Sequence, residues 1–580
     1  MSRTTAVLLL LGACQASPDP APSRRPNVIV IITDDQGYGD LSCHGNPVLK
    51  TPNLDRLHSE SIRLTDFHVA PMCTPTRGQL MTGIDSLRNG AMNVSSGRTP
   101  LRRGVLTLAE MLRGQYRTGL FGKWHLGDNF PYRPHDRGFE EAVWFPSSHV
   151  GSAPDGWNND YFDDTYRHNG RARKYEGYCT DVFFGEARKW IRERADRKET
   201  FFAYIAPNAP HGPLFVPQKY RDLYKDQPRN VATFFGMIAN IDENIGKLDA
   251  LLREMGLREN TILVYLTDNG ATVGMNVFNA GMRGKKIDLY DGGHRVPCFI
   301  RWPAGKLGPP RDIGELTQVQ DLLPTIFHLS GFPGELTGDG LNLEPLLTGR
   351  QERLPDRMLV IQFSRMNAPE PRKGDACVLW KRWRLVADKE LYDLDSDPGQ
   401  QKEVSAQHPD VVARMRAHYE SWWAGVAPRL NEFSAVTIGA EAENPTLLSP
   451  CEWQDVFLDQ SRQVRVGEAK NGAWNLHVER EGSYAIELRR WPREADAPLA
   501  AGLPALQVTD GQLAAGKALP IAKARLKVAD FDQTVEVEKD AESVAFTVPL
   551  RPGATKLQTW FTDAAGKNLC GAYFVYVERK

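Results

Sequence analysis

The chain has no excess charge of either sign: 71 lysines and arginines against 72 aspartates and glutamates leave a formal net charge of −1. No global field therefore draws it to nucleic acid or to acidic surfaces. It shows neither a basic stripe with interleaved aromatics nor a nucleic-acid motif, so nucleic acid is not an expected partner. Cysteine is scarce as well. Eight in 580 residues cannot form the dense framework that staples small secreted domains. Beyond a run at residues 6–13, no segment approaches the roughly 20 apolar residues of a membrane-spanning helix. Short-period repeats and low-complexity tracts are missing too. What remains is an ordinary globular balance, 41% hydrophobic and 25% charged, on a chain long enough for two or three domains.

The N-terminus reads as a targeting segment. Arg3 supplies a positive start, and A-V-L-L-L-L-G-A at 6–13 is too short to span a bilayer. The run ends in L-G-A-C, which resembles the lipobox of bacterial lipoproteins with Cys14 as the acylated residue; Gln15 does not favour retention at the inner membrane. The other reading is an ordinary signal peptide cut near Ala16 or Ser17. Either one exports the protein, as a periplasmic protein or an outer-membrane lipoprotein held to the membrane by its lipid anchor. Residues 17–26, rich in Pro, Ala, Ser and Arg, read as a tether, so the export signal and tether occupy 1–26. Cys43, Cys179, Cys298, Cys377, Cys451 and Cys570 are scattered, and their pairing is open.

From Asn27 the run N-V-I-V-I-I-T-D-D is continuously apolar and β-branched, as in a strand buried on both faces. T-I-L-V-Y-L-T-D-N at 261–269 echoes it, and a third apolar run at 201–206 leads into P-N-A-P-H-G-P. Helix-like stretches at 53–62, 107–113 and 232–255 lie between. The alternation predicts an α/β fold: a large, mostly parallel mixed sheet flanked by helices, over 27–354. Ligands collect beyond the carboxyl ends of such strands. Residues 355–430 hold short strand patterns and a helix from about 409 to 424, expected as a small antiparallel α+β subdomain. Period-2 patterns such as W-N-L-H-V-E and S-Y-A-I-E-L predict a β-sandwich-like C-terminal domain over 431–580. Its Trp474 and Trp491 are expected in the core.

The most telling string is C-T-P-T-R-G-Q-L-M-T-G at 73–83. Proline suits the first turn of a helix. A helix opening at Cys73 would present backbone N–H groups and its positive dipole end to an anion, with the planar fork of Arg77 one turn on. Asp34 with Asp35, and Asp268 with Asn269, leave two strand ends in the same T-D-[D/N] context. Four such oxygen donors suit Ca²⁺; zinc would want sulfur or imidazole. In G-K-W-H-L-G, Lys123 and His125 would face the same side of a strand. His211 sits between prolines in a rigid loop, and Lys286 precedes a glycine pair. Singly, each of these also reads as a turn, a core residue or a solvated face. The Trp- and Tyr-rich segment 144–179, with W-N-N-D-Y-F-D-D, is expected to wall the pocket.

In combination and order, these motifs resemble the type I, formylglycine-dependent sulfatases of the alkaline-phosphatase superfamily, arylsulfatase-like, from Asn27 to about Ala424. The resemblance rests on C-x-P-x-R with L-x-T-G, G-K-W-H-x-G, P-H-x-P, T-D-N-G, R-G-x-K through G-G-x-R-V-P, and L-Y-D-L-x-x-D-P at 391–398. It implies a sulfuric ester hydrolase acting on a sulfated small molecule or glycan. Cys73 would be oxidised to formylglycine by a generating enzyme during maturation. Asp34, Asp35, Asp268 and Asn269 would hold one Ca²⁺ per chain, with modified Cys73 completing the shell. Arg77, Lys123, His125, His211 and Lys286 would contact sulfate or act in catalysis, with His211 or Lys286 protonating the leaving oxygen and His125 accepting a proton afterwards. Lys286 rather than Lys285 fits because it stands four before Tyr290, and Asp291 departs from the family's usual glutamate. The alternatives are a phosphate or phosphonate ester hydrolase of the same superfamily, or an inactive sulfatase-like glycan-binding protein.

Overall fold

The computed structural model describes residues 25–580; the expected export run, Cys14 and most of the tether lie outside them. Asn27–Thr33 is a strand with every residue buried. Its side chains alternate between two hydrophobic cores, Val28, Val30 and Ile32 entering one and Ile29 and Ile31 the other. This is why a continuous apolar run, rather than an alternating one, encodes it. It pairs in parallel with Phe201–Ala206 on one side and Thr261–Thr267 on the other. Arg117–Lys123 and Glu141–Phe145 extend the parallel centre of a ten-stranded mixed sheet. Antiparallel pairings at Cys298–Arg301 and Thr165–His168 continue it toward both edges.

Helices cover both faces. Cys179–Asp196 and Arg229–Glu254 contribute Phe183, Ile191, Met237, Ile241 and Leu248 to one core. Cys73–Thr82, Leu108–Leu112 and Leu322–Leu329 contribute Leu80, Leu108, Leu112, Leu322 and Ile326 to the other. Two local expectations are corrected. The helix at Pro52 stops at Ser59, and Ile62 belongs to the strand Ile62–Leu64. Lys123 is the last residue of its strand, whereas His125 lies beyond it in a left-handed backbone with φ 59°; the two do not share a strand face.

A separate four-stranded antiparallel sheet, from Leu359–Gln362 to Glu390–Asp393, packs under the helix Pro409–Val426 through Val412, Met415 and Tyr419. It is fastened to the main sheet by Arg384, whose Nε donates to Asp291 at 3.0 Å and whose Nη2 donates to Asp66 at 2.9 Å. Asp291, the departure noted above, thus serves this junction.

Beyond Val436, a six-stranded and a four-stranded sheet enclose one core containing Trp474, Ile486, Trp491, Leu526, Phe546 and Val577. The strand Ala473–Val478 alternates half-buried and buried residues, as expected of a sheet with one inner face. One pairing, Val436–Ile438 with Ala473–Val478, is parallel. This domain lies against the main one. Ala153 N donates to Asp459 O at 2.7 Å, Gly97 N to Cys451 O at 3.1 Å, and Asp455 N to Ser96 O at 3.1 Å. Arg221 pairs with Asp510 at 2.6 Å. Among the described residues no two cysteines are bonded, and no helix is long and apolar enough to cross a membrane.

Candidate active site

The register of the two central strands builds the site. Thr33 pairs with Thr267, so the chain leaves both strands at one level and Asp34–Asp35 meets Asp268–Asn269. Asp268 N donates to Thr33 O at 3.1 Å, Asp35 N to Asp268 Oδ1 at 3.2 Å, and Asn269 Nδ2 to Asp35 Oδ1 at 3.0 Å. Asp35 holds a positive φ of 65°, a conformation unusual outside glycine and kept only where surroundings impose it. Next to this turn the chain is so close to the segment before His294 that a Cβ on Gly270 would lie 1.9 Å from Gly292 O. That contact explains glycine at 270.

The helix Cys73–Thr82 begins with Cys73, follows an extended Met72, and is buried at all ten positions. Cys73 Sγ groups with carboxylate oxygens of Asp34 and Asp268 within 4.8 Å. Around them stand three cations. Lys123 Nζ donates to Asp34 Oδ2 at 2.7 Å, Lys286 Nζ to Asp35 Oδ1 at 2.6 Å, and Arg77 reaches Asp268 Oδ2 through Nη2 at 2.8 Å and Nε at 3.1 Å. Arg77, Lys123 and both of their partners are wholly buried. Arg77 therefore spends its fork on one carboxylate oxygen rather than opening it toward a ligand.

Electrostatics follow from this crowding. Burial, reinforced by Asp268 and opposed by Lys123, pushes the Asp34 carboxyl up to about 8. Asp35 is buried too, but Lys286 and His211 outweigh that and hold it well below the usual carboxylate range. Burial would lower Lys286, yet the surrounding carboxylates, Asp35 first, raise it above an ordinary lysine. The Cys73 thiol is raised by burial and is no thiolate nucleophile at neutral pH.

Three histidines complete the set. His125 Nε2 lies 2.8 Å from Val94 O and its buried Nδ1 has no partner. A carbonyl only accepts, so Nε2 carries the proton and Nδ1 is a free acceptor. His211 Nδ1 likewise donates to Gly212 O at 2.6 Å, turning Nε2 toward Asp35 Oδ2 at 3.8 Å. Burial draws His211 down to about 4, against the pull of Asp35. His149 stacks on His211 with ring centroids 5.2 Å apart. Burial, then the proximity of His211, lowers it well below its ordinary value.

Asp35, Cys73, His149, His211 and Lys286 line a cavity of about 380 Å³, together with Ser148 and residues of the C-terminal domain. Arg77, Lys123 and His125 lie outside that lining. The expected wall at 144–179 is present only through Ser148 and His149. The W-N-N-D-Y-F-D-D stretch acts behind it: Tyr161 OH donates to His211 O at 2.9 Å, Asp160 accepts from Thr509 N at 2.9 Å, and Trp157 packs edge-on against Trp491. Sequence reasoning missed Ser148, His149, Phe457 and Asp459. His149 was visible only as a histidine in a segment already assigned to the wall, and Asp459 had no local signal.

The donor set fits a hard cation. Asp34 Oδ1 and Asn269 Oδ1 are buried oxygens without a hydrogen-bond partner, beside clustered carboxylates that repel one another. Unpaired buried oxygens are costly, and a flexible oxygen-liganded ion such as Ca²⁺ removes that cost.

The sulfatase family model matches residues 26–332. The chain is 32% identical to arylsulfatase A of Homo sapiens, covering 68% of this chain and 87% of that protein. It is 30% identical to the N-acetylgalactosamine-6-sulfatase of Canis lupus familiaris, covering 60% of this chain and 71% of that protein. The crystal structure of Ps i-CgsB in complex with k-i-k-neocarrahexaose superposes with a TM-score of 0.63 at 25% identity, covering 69% of this chain and 92% of that one. The phosphonate monoester hydrolase of Agrobacterium radiobacter superposes with a TM-score of 0.51 at 22% identity, covering 70% of this chain and 96% of that one. That last likeness is one of fold.

Proposed function

The chain belongs to the sulfatase family and is a sulfuric ester hydrolase; we propose that its substrate is a sulfated carbohydrate and that it works through formylglycine at position 73 and one bound calcium ion. The observation carrying this reading is the convergence beside Cys73 of Asp34 and Asp268 from two strand ends, with Asp35 and Asn269 hydrogen-bonded into the same turn pair and each carboxylate matched to its own buried or half-buried cation.

Formylglycine, once hydrated, supplies a hydroxyl nucleophile in place of a thiol that burial keeps protonated. Asp34, Asp35, Asp268 and Asn269 would hold the calcium, which would supply positive charge to offset that developing on the sulfate ester. Arg77 fixes the Asp268 carboxylate, and Lys123 does the same for Asp34. Lys286 lines the cavity and keeps its proton at neutral pH beside Asp35, so it is the donor to the leaving oxygen; His211, drawn down to about 4, is largely neutral there. His125 Nδ1 is the acceptor held ready for a proton.

Mass spectrometry of the Cys73 peptide from active protein should show an aldehyde in place of the thiol. Aryl sulfate, phosphate and phosphonate compared under one set of conditions decide the ester: higher kcat/KM for phosphate or phosphonate returns the chain to the rival hydrolases. We also propose export through residues 1–26 with acylation at Cys14, which labelling with radioactive palmitate and a Cys14→Ala variant would test.

A further inference from the structure

The C-terminal sandwich puts a carboxylate into the wall of the catalytic cavity. Phe457 and Asp459 line the same cavity as Cys73 and Lys286, although they belong to a domain whose core is separate. Asp459 is only 4% exposed. Its Oδ2 accepts from Ser148 Oγ at 2.8 Å, while its Oδ1 is buried and takes no hydrogen bond. The residue is held firmly. Its N–H donates to Gln463 Oε1 at 3.1 Å, its carbonyl accepts from Ala153 N at 2.7 Å, and a β-bridge joins Ser152 to Gln460 beside it.

A buried carboxylate oxygen without a donor is costly unless a ligand supplies one. The packing of Asp459 gives Oδ1 no protein donor, while the Ser148 hydroxyl holds Oδ2 and the backbone bonds on either side fix the residue. Next to it the cavity is apolar: Met72, Val94, Ile287, Met366 and Phe457 form one cluster around Cys73. An apolar wall with one fixed acceptor at its margin matches a pyranose, which has a C–H face and equatorial hydroxyl donors. The same carboxylate repels a second anion placed there.

We propose that Asp459 is a specificity-determining residue: it accepts a hydrogen bond from a hydroxyl of a sugar sulfate, selecting a ring that is uncharged next to the scissile ester and rejecting one with a further sulfate or a carboxylate at that position. This rests on the sulfated-carbohydrate reading above. The catalytic domain alone, whose matched family segment ends at residue 332, lacks this acceptor; the appended domain supplies it.

The test uses the full chain, as wild type, Asp459→Asn and Asp459→Ala, with thermal melts to establish folding. The probes are 4-nitrophenyl sulfate, which has no hydroxyl, and hexoses sulfated at O2, O3, O4 or O6 with the corresponding disulfates. For the hexose monosulfate that wild type cleaves fastest, both variants should lose about 10–100-fold in kcat/KM, the range of a hydrogen bond to a charged group. On 4-nitrophenyl sulfate they should stay within about threefold. Asp459→Asn, which removes the charge but keeps the shape, should also raise the rate on disulfates relative to monosulfates. Equal losses on both probe types, or no loss on the hexose sulfate, overturn the assignment. Wild type cleaving 4-nitrophenyl sulfate but no hexose sulfate also overturns it, leaving sulfatase chemistry intact. Wild type cleaving neither overturns the reading on which it rests.

Discussion

The backbone N–H of Asp35 donates to Oδ1 of Asp268 at 3.2 Å, across a sequence separation of 233 residues. This bond ties the turn after one central strand to that after its neighbour. Asp268 gives its other oxygen to Arg77 at the start of the Cys73 helix, so three chain segments meet through one carboxylate.

Removing the Arg77 end of that system should be felt as a metal defect as well as a stability defect. Breaking a fully buried pair by deleting one partner typically costs about 3–5 kcal/mol. Arg77→Ala should lower the melting temperature and weaken calcium binding together, as measured by calorimetry. Unchanged calcium affinity in a folded Arg77→Ala variant would show that Arg77 does not position Asp268 for the ion.

Calcium should stabilise the protein more at pH 8.5 than at pH 5.5. Without the ion, Asp34 binds its proton up to about 8, above its ordinary 3.8. A group raised in the folded state contributes stability that is present below its unfolded value and lost as pH rises through the folded one. Ion-free protein therefore weakens between these values, and a cation that takes the place of the proton restores it. Differential scanning fluorimetry with EDTA and with excess calcium reads the effect. A larger calcium shift at pH 5.5 would reverse the assigned sign.

Lys286→Ala should cost more on a sugar sulfate than on 4-nitrophenyl sulfate. A general acid typically contributes about 10²–10⁴-fold, and a nitrophenolate needs no proton to leave. His211→Ala should lack this dependence on the leaving group, because His211 is largely deprotonated at neutral pH. If His211→Ala rather than Lys286→Ala shows the dependence, the donor assignment changes hands.

Arg384→Ala should loosen the small antiparallel sheet from the main one. It leaves Asp291 without its buried partner and deprives Asp66 of one of two, a change on the order of 3–5 kcal/mol for a buried pair. Limited proteolysis should then cut first near the glycine-rich turns at 331–340, before the strand Leu359–Gln362. A melting curve identical to wild type would show that apolar packing alone fastens the sheet.

The α/β class and the candidate residues around Cys73 were legible in the sequence because local physics writes them there. A strand covered on both faces must be apolar at every position, as Val28 to Ile32 are. A turn that approaches another backbone closely must use glycine, as Gly270 does. Motif order then points to Asp34, Cys73, Lys123, His211, Asp268 and Lys286 without any coordinate. Three things had no local trace. Whether Lys123 and His125 share a strand face depended on where the strand ended, and the structure ends it between them. Whether Arg77 meets a ligand or a carboxylate depended on Asp268, distant in sequence but adjacent through the register of Thr33 and Thr267. The wall of the cavity depended on domain packing: Ser148 and Asp459 are separated by 311 positions and joined by one hydrogen bond. Periodicity and motif spacing record what a residue needs from its own segment. Which distant surface fills the space opposite is set by the docking of whole domains, and only the tertiary structure contains it.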